Sequence, residues 1–218
     1  MPDRLIETKF HTPLWRSDGV TRPRLLNQLQ ASLIEQRKLT LVSAPAGYGK
    51  TTLVTSWLHS FMESASIIWL SLENSDNEPA RFLSYWAAAW HRMCDFDLEN
   101  ILELLDSPQL PSFQSILDEI INTLAQLEES TTLVFDDYHI INNPLIHEML
   151  EYFLEHQPHQ AHLVIITRSD PPIPLARLRA RSQMVEIRAN DLRFTEEEAR
   201  LFFSVGRQGK RGEQSRLS

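Results

Sequence analysis

The sequence predicts an α/β fold, a parallel sheet flanked by helices on both faces. Three observations carry this. Short, continuously apolar or β-branched runs alternate with helical periods along most of the chain. The run Leu39 to Val42 enters a loop with two glycines, and Lys50-Thr51-Thr52 then opens a helical pattern. That is the strand–loop–helix context of a phosphate-binding loop. The run Thr131 to Phe135 ends in Asp136 and Asp137, where nucleotide-binding proteins with such a loop place the carboxylate on the Mg²⁺ side. Together they predict a P-loop NTPase. A further strand, Ile67 to Leu72, lies in sequence between loop and carboxylates. It leaves room for a sheet strand between the two nucleotide-contacting strands, the arrangement of RecA-like and AAA-like ATPases.

The phosphate loop departs from G-x-x-x-x-G-K-[ST] at one place: Ala44 stands where the first glycine belongs. The rest is present. Gly47 and Gly49 allow the backbone of Ala46, Gly47, Tyr48 and Gly49 to turn toward one point with no Cβ in the way. Lys50 supplies a mobile cation for the β- and γ-phosphates, the Thr51 hydroxyl a ligand for Mg²⁺, and Thr52 the next turn of a helix whose N-terminus favours anions.

The length of 218 residues suggests one domain with appendages, and 42% hydrophobic residues suffice for a full core. No apolar run is long enough for a membrane span and the N-terminus has no apolar signal region. The expectation is a cytoplasmic protein without membrane contact. Cys94 is the only cysteine; it is read as a small buried hydrophobe on a helix. A net charge of −8 is a poor footprint for a nucleic-acid-binding domain.

Along the chain, residues 1–24 read as an extended arm, 25–203 as the NTPase domain and 204–218 as a disordered tail. A helix from Pro23 to Gln36 presents Leu25, Leu26, Leu29 and Leu33. Arg22 and Arg24 before it reach a nucleotide if the arm folds back; spacing alone favours a solvated pair. The phosphate-loop helix runs to about Met62. Asp76 or Asn77 is a plausible N-cap for a helix with Pro79 in its first turn, and its stripe of Phe82, Tyr85, Trp86 and Trp90 reads as core. A short helix is expected at Leu98 to Leu105. Phe113 to Leu127 is strongly amphipathic. Asp136 is assigned to Mg²⁺. Asp137 is assigned to polarising the attacking water, with turn-capping as its alternative. His139 and His147 lack metal-ligand spacing and read as surface or helix-facing residues. His162 to Arg168 is a buried strand, and Arg168 at its carboxyl end is placed to meet a γ-phosphate. Arg177, Arg179 and Arg181 read as a solvated face, Val185 to Arg188 as an edge strand, and Thr195 with Glu198 as a capping box.

Five stretches, Val20–Leu25, Leu41–Leu53, Trp69–Pro79, Leu133–His139 and Glu186–Thr195, resemble the large ATP-dependent LuxR-family transcription regulators of the MalT-like group. The similarity runs in order over about residues 5–203. It implies a STAND-type switch: ADP holds the resting form, ATP with an inducer drives self-association, and slow hydrolysis resets it. By position, Gly47, Gly49, Lys50, Thr51 and Thr52 cradle phosphates. Asp136 serves Mg²⁺, Asp137 serves hydrolysis and Arg168 senses the γ-phosphate. Arg22 and Arg24 approach the nucleotide. Ala44 is common in this group. Members continue into winged-helix, helical-repeat and helix-turn-helix regions, so this chain reads as a truncated member and DNA contact is expected only through regions it does not contain. The rival expectation is a P-loop kinase or ATPase acting on a small molecule.

Overall fold

The apolar runs become β1 (Leu39–Ser43), β2 (Ser66–Ser71), β3 (Thr131–Asp136), β4 (Ala161–Thr167) and β5 (Met184–Arg188). In the computed structural model, which describes residues 5–14, 21–61, 66–92, 101–103, 105 and 112–200, they pair in parallel as one five-stranded sheet in the order β2-β3-β4-β1-β5. Helices α1 (Pro23–Ile34), α2 (Lys50–Phe61), α3 (Pro79–His91), α4 (Phe113–Leu124), α5 (Pro144–His156) and α6 (Leu175–Ala180) connect them.

Strand side chains alternate between the two faces, and both faces are covered. Leu41, Leu133, Phe135, Leu163 and Ile165 pack with α3, α4, α5 and α6, whereas Val42, Val134, Val164, Ile166 and Ile187 pack with α1 and α2. The aromatic stripe of α3 is core: Trp86 meets Phe135 and Phe153 edge-on at ring separations of 5.6 and 5.1 Å. Such contacts add about 1 kcal/mol each to the burial itself.

One expectation about the sheet is corrected. The strand between β1, which leads into the glycine loop, and β3, which ends in the carboxylates, is β4, not the Ile67–Leu72 run, which forms β2 at the outer edge. Chain order does not fix strand order, because crossover connections can skip a position. Helix ends also differ: α1 stops at Ile34 and Gln36 has φ +50°. The N-cap of α3 is Glu78, whose carboxylate accepts from the backbone N–H groups of Ala80 and Arg81. Asp76 is instead fully buried and ion-paired with Lys9, a residue 67 positions away. The arm is therefore not plain extended chain. Residues Glu7–Phe10 form a 3₁₀ turn, Lys9 also sits 4.0 Å from the Tyr85 ring centre, and Arg92 holds Glu7 and covers the Phe10 ring. Cys94, most of the Leu98–Leu105 helix and the tail 204–218 lie outside the described residues.

At the amino edge of the sheet the polar groups close on one another. His162, on β4, is wholly enclosed, and burial pushes its imidazole down to about 4. Its Nδ1–H donates to Arg37 O at 2.7 Å, and its Nε2 lies 3.0 Å from Thr40 Oγ1, whose own proton goes to Ser32 Oγ. Thr40 lies 2.9 Å from Ser32 Oγ, which donates to Leu29 O. Lys38 donates to the carbonyls of Leu154 and Glu155 at the end of α5.

Candidate nucleotide-binding site

The opposite, carboxyl edge is built differently. Between β1 and α2, Gly47 and Gly49 have φ of +82° and +74°, and a Cβ placed on either would meet nothing within 4 Å. Both glycines are therefore required by backbone conformation, and the space in front of them is open. Ala44 explains the departure from the motif. It keeps a negative φ, is 3% exposed and packs in the apolar layer under α2. A methyl group fills that position and no glycine is needed. Tyr48 is half-buried against the same layer, while Ala46 and Thr52 are exposed.

The loop's cation is held back on the loop itself. Lys50 is 8% exposed and donates to Pro45 O at 3.1 Å. Burial lowers its pKa, Arg168 lowers it further, and Asp137 and Asp136 oppose. Thr51 Oγ1 lies 3.3 Å from both carboxylate oxygens of Asp136. Asp136, at the end of β3, is pushed up to about 6, first by burial and then by Asp137; the backbone N–H of Asp137, Thr51 and Lys50 pull the other way. Its charged form is thus only partly compensated by its neighbours.

Asp137 lies just past the end of β3. It has φ +58°, in the left-handed region that Asp tolerates better than most side chains. Its side chain is half exposed and lies 3.7 Å from His139 Nδ1. His139 is the residue sequence reasoning missed. Burial and the charges of Arg168 and Lys50 lower its pKa while Asp137 raises it, so it faces the same site. A lone histidine with no metal-ligand spacing gave no signal beyond its place two residues after Asp137.

Arg168 is exposed just past the end of β4, near enough to act electrostatically on both Lys50 and His139. The fold thus brings Lys50, Thr51, Asp136, Asp137, His139 and Arg168 together. Arg22 and Arg24 have other partners. Arg22 donates to the carbonyls of Leu192 and Arg193 and pairs with Glu198; Arg24 donates to Asp191 O. Glu198 also closes the expected capping box with Thr195. The three arginines of the short basic helix divide as a solvated face does, with Arg177 paired to Glu151 and Glu155 and Arg179 to Glu186.

Among the described residues no group of three or more His, Cys, Asp or Glu side chains is disposed to hold a metal ion. Mg²⁺ does not need one, since it takes one or two protein oxygens and completes its shell with phosphate and water. No helix among the described residues is long and apolar enough to cross a membrane.

A parallel sheet with a glycine-turned loop after β1, a paired carboxylate after β3 and β4 between them defines a P-loop NTPase fold. Solved structures agree on that fold. The Walker-type ATPase PABY2304 of Pyrococcus abyssi superposes with TM-score 0.55 at 15% identity, covering 90% of this chain and 60% of that one. The STAND protein with a tetratricopeptide-repeat sensor, PH0952 of Pyrococcus horikoshii, gives 0.53 at 16% identity, over 92% and 27%. No protein-family model matches the sequence. In sequence the chain is 38% identical over 199 residues, 91% of its length, to the HTH-type transcriptional regulator MalT of Cronobacter sakazakii, and spans 22% of that relative's length. Over these residues the chain has a P-loop NTPase fold and is similar in sequence to one part of MalT.

Proposed function

We propose that this chain is an ATP-binding switch module of a MalT-like transcriptional regulator, with slow ATP hydrolysis at most. DNA contact would fall to regions outside this chain, and self-association would accompany the ATP-bound form. The observation that carries the reading is the open, glycine-turned loop facing Lys50, with Asp136 raised by burial and short of positive charge. That combination fits a phosphate chain together with a divalent cation. The loop backbone and Lys50 would bind the phosphates of ATP or ADP, and Thr51 and Asp136 would hold Mg²⁺. The ion, when bound, neutralises phosphate charge. Arg168 would read the γ-phosphate. Asp137 would orient water and receive its proton, with His139 beside it. At 3.7 Å the Asp137–His139 contact is an electrostatic contact rather than a hydrogen bond. Arg22 and Arg24 remain part of this reading as arm residues that reach the nucleotide on rearrangement.

Calorimetric titration with ATP and ADP, with and without Mg²⁺, tests this. Lys50→Ala is expected to weaken both nucleotides by about 100-fold or more, since a buried charge partner is removed, and to leave the fold intact. Folded wild-type protein that binds neither nucleotide would sink the reading.

A further inference from the structure

A carboxylate that neither the loop motif nor the strand acids include ties the site together. Asp170 follows Arg168 by two residues, just after β4. One of its oxygens accepts from Ser43 Oγ at 3.4 Å, from the last residue of β1 before the phosphate loop. The same oxygen and its partner accept from both terminal nitrogens of Arg188, the last residue of β5. Ser43 stands level with Arg188 on one side and Thr167 on the other. One carboxylate therefore joins the carboxyl ends of three adjacent strands at the residue from which the phosphate loop departs. Arg188 is itself fixed: its Nε donates to Glu186 at 3.0 Å and its backbone N–H to Asp191 at 2.8 Å. The pairing with Asp170 is two-pronged, the geometry in which an arginine adds direction as well as charge.

Apart from this, the turn after β4 is held by Thr167, whose hydroxyl donates to Ser169 O, and by Ala44 N–H, which donates to Thr167 O. Arg168 sits inside that turn and projects from an exposed position. A charge that must meet one phosphate group depends on its placement to within about 1 Å. We propose that Asp170 and Arg188 are positioning residues that set Arg168 against the phosphate loop, and so set the preference for ATP over ADP. ADP, held by the loop backbone and Lys50, does not depend on them. The inference rests on the reading above, in which Arg168 meets the γ-phosphate.

The test is a double-mutant cycle on the full chain, Asp170→Asn and Arg188→Gln, with affinities for ADP and for a non-hydrolysable ATP analogue measured in Mg²⁺. Each single variant is expected to lower the ATP-over-ADP preference by about tenfold with ADP affinity within twofold of wild type, and the double variant to lose no more than either single. Near-ultraviolet circular dichroism confirms the fold of each. A folded variant with an unchanged preference, equal weakening of both nucleotides, or additive losses in the double variant overturns the proposal. Failure of the wild type to bind either nucleotide would instead remove the underlying reading.

Discussion

The two ends of the same sheet handle burial in opposite ways. At the amino edge, His162 is enclosed and each of its ring nitrogens has a partner, through Arg37 O and Thr40. At the carboxyl edge, Asp136 is nearly as buried, yet its close neighbours include another carboxylate and a lysine whose own pKa is depressed. Burial is the leading cause of the shift in both groups, downward for His162 and upward for Asp136. The amino edge resolves the cost by holding imidazole neutral inside a closed network. The carboxyl edge leaves a charge deficit facing open space. Closed polar networks rigidify a fold, and open ones mark where it meets something else. The sheet is the same on both edges, so this difference, rather than the fold, locates the site.

The largest effect expected from this contrast is acid sensitivity at the closed edge. His162 is held below its ordinary value, so its contribution to stability is complete above about pH 6.5 and is lost as pH falls toward 4, where the folded form must accept a proton. Over that window the loss amounts to about 3 kcal/mol. Urea unfolding of wild type and His162→Gln between pH 7.5 and 4.5 measures it; parallel pH profiles for the two would erase the asserted contrast. Next comes the open edge, where the sign is reversed. Asp136 is raised above its unfolded value, so its charge costs stability above about pH 6 and the cost fades as pH falls. Asp136→Asn is expected to stabilise the nucleotide-free protein by about 2 kcal/mol at pH 7.5 and to abolish any Mg²⁺ dependence of nucleotide affinity. Thermal unfolding and calorimetry give both readouts, and a destabilised variant would contradict the deficit. The smallest effect concerns Ala44. Restoring the motif with Ala44→Gly removes a packed methyl group and adds chain freedom, so it is expected to cost about 1 kcal/mol with nucleotide affinity unchanged. A tighter binder would show that the first glycine has a role this loop lacks.

Much of this was legible along the chain. The strands stand out as apolar runs because parallel strands covered on both faces need no alternation. Lys50 and Thr51 stand out because a phosphate loop needs fixed residue types at fixed local spacing, and Asp136 because it ends an apolar strand run. What was not legible depends on contacts between distant residues. Nothing near Asp76 announces that Lys9 will neutralise it, so its place just before Pro79 suggests a helix cap. The Asp170–Arg188 pair has the same character, since each residue alone reads as ordinary turn or strand-end polarity. The position of β4 at the centre follows from pairing, which local pattern does not encode. His139 becomes visible only when β4 delivers Arg168 beside it.

The strand order also sets a timetable. β1, which carries the phosphate loop, pairs only with β4 and β5: Leu39 stands level with Leu163 and with Met184. During synthesis it waits, without a strand on either side, until residues 161–188 have left the ribosome. The β2–β3 pair can form earlier. A nascent chain therefore gains its nucleotide pocket late in synthesis and in nearly one step, and a stalled or shortened product ending before β5 would carry the whole motif yet lack one flank of the strand that presents it.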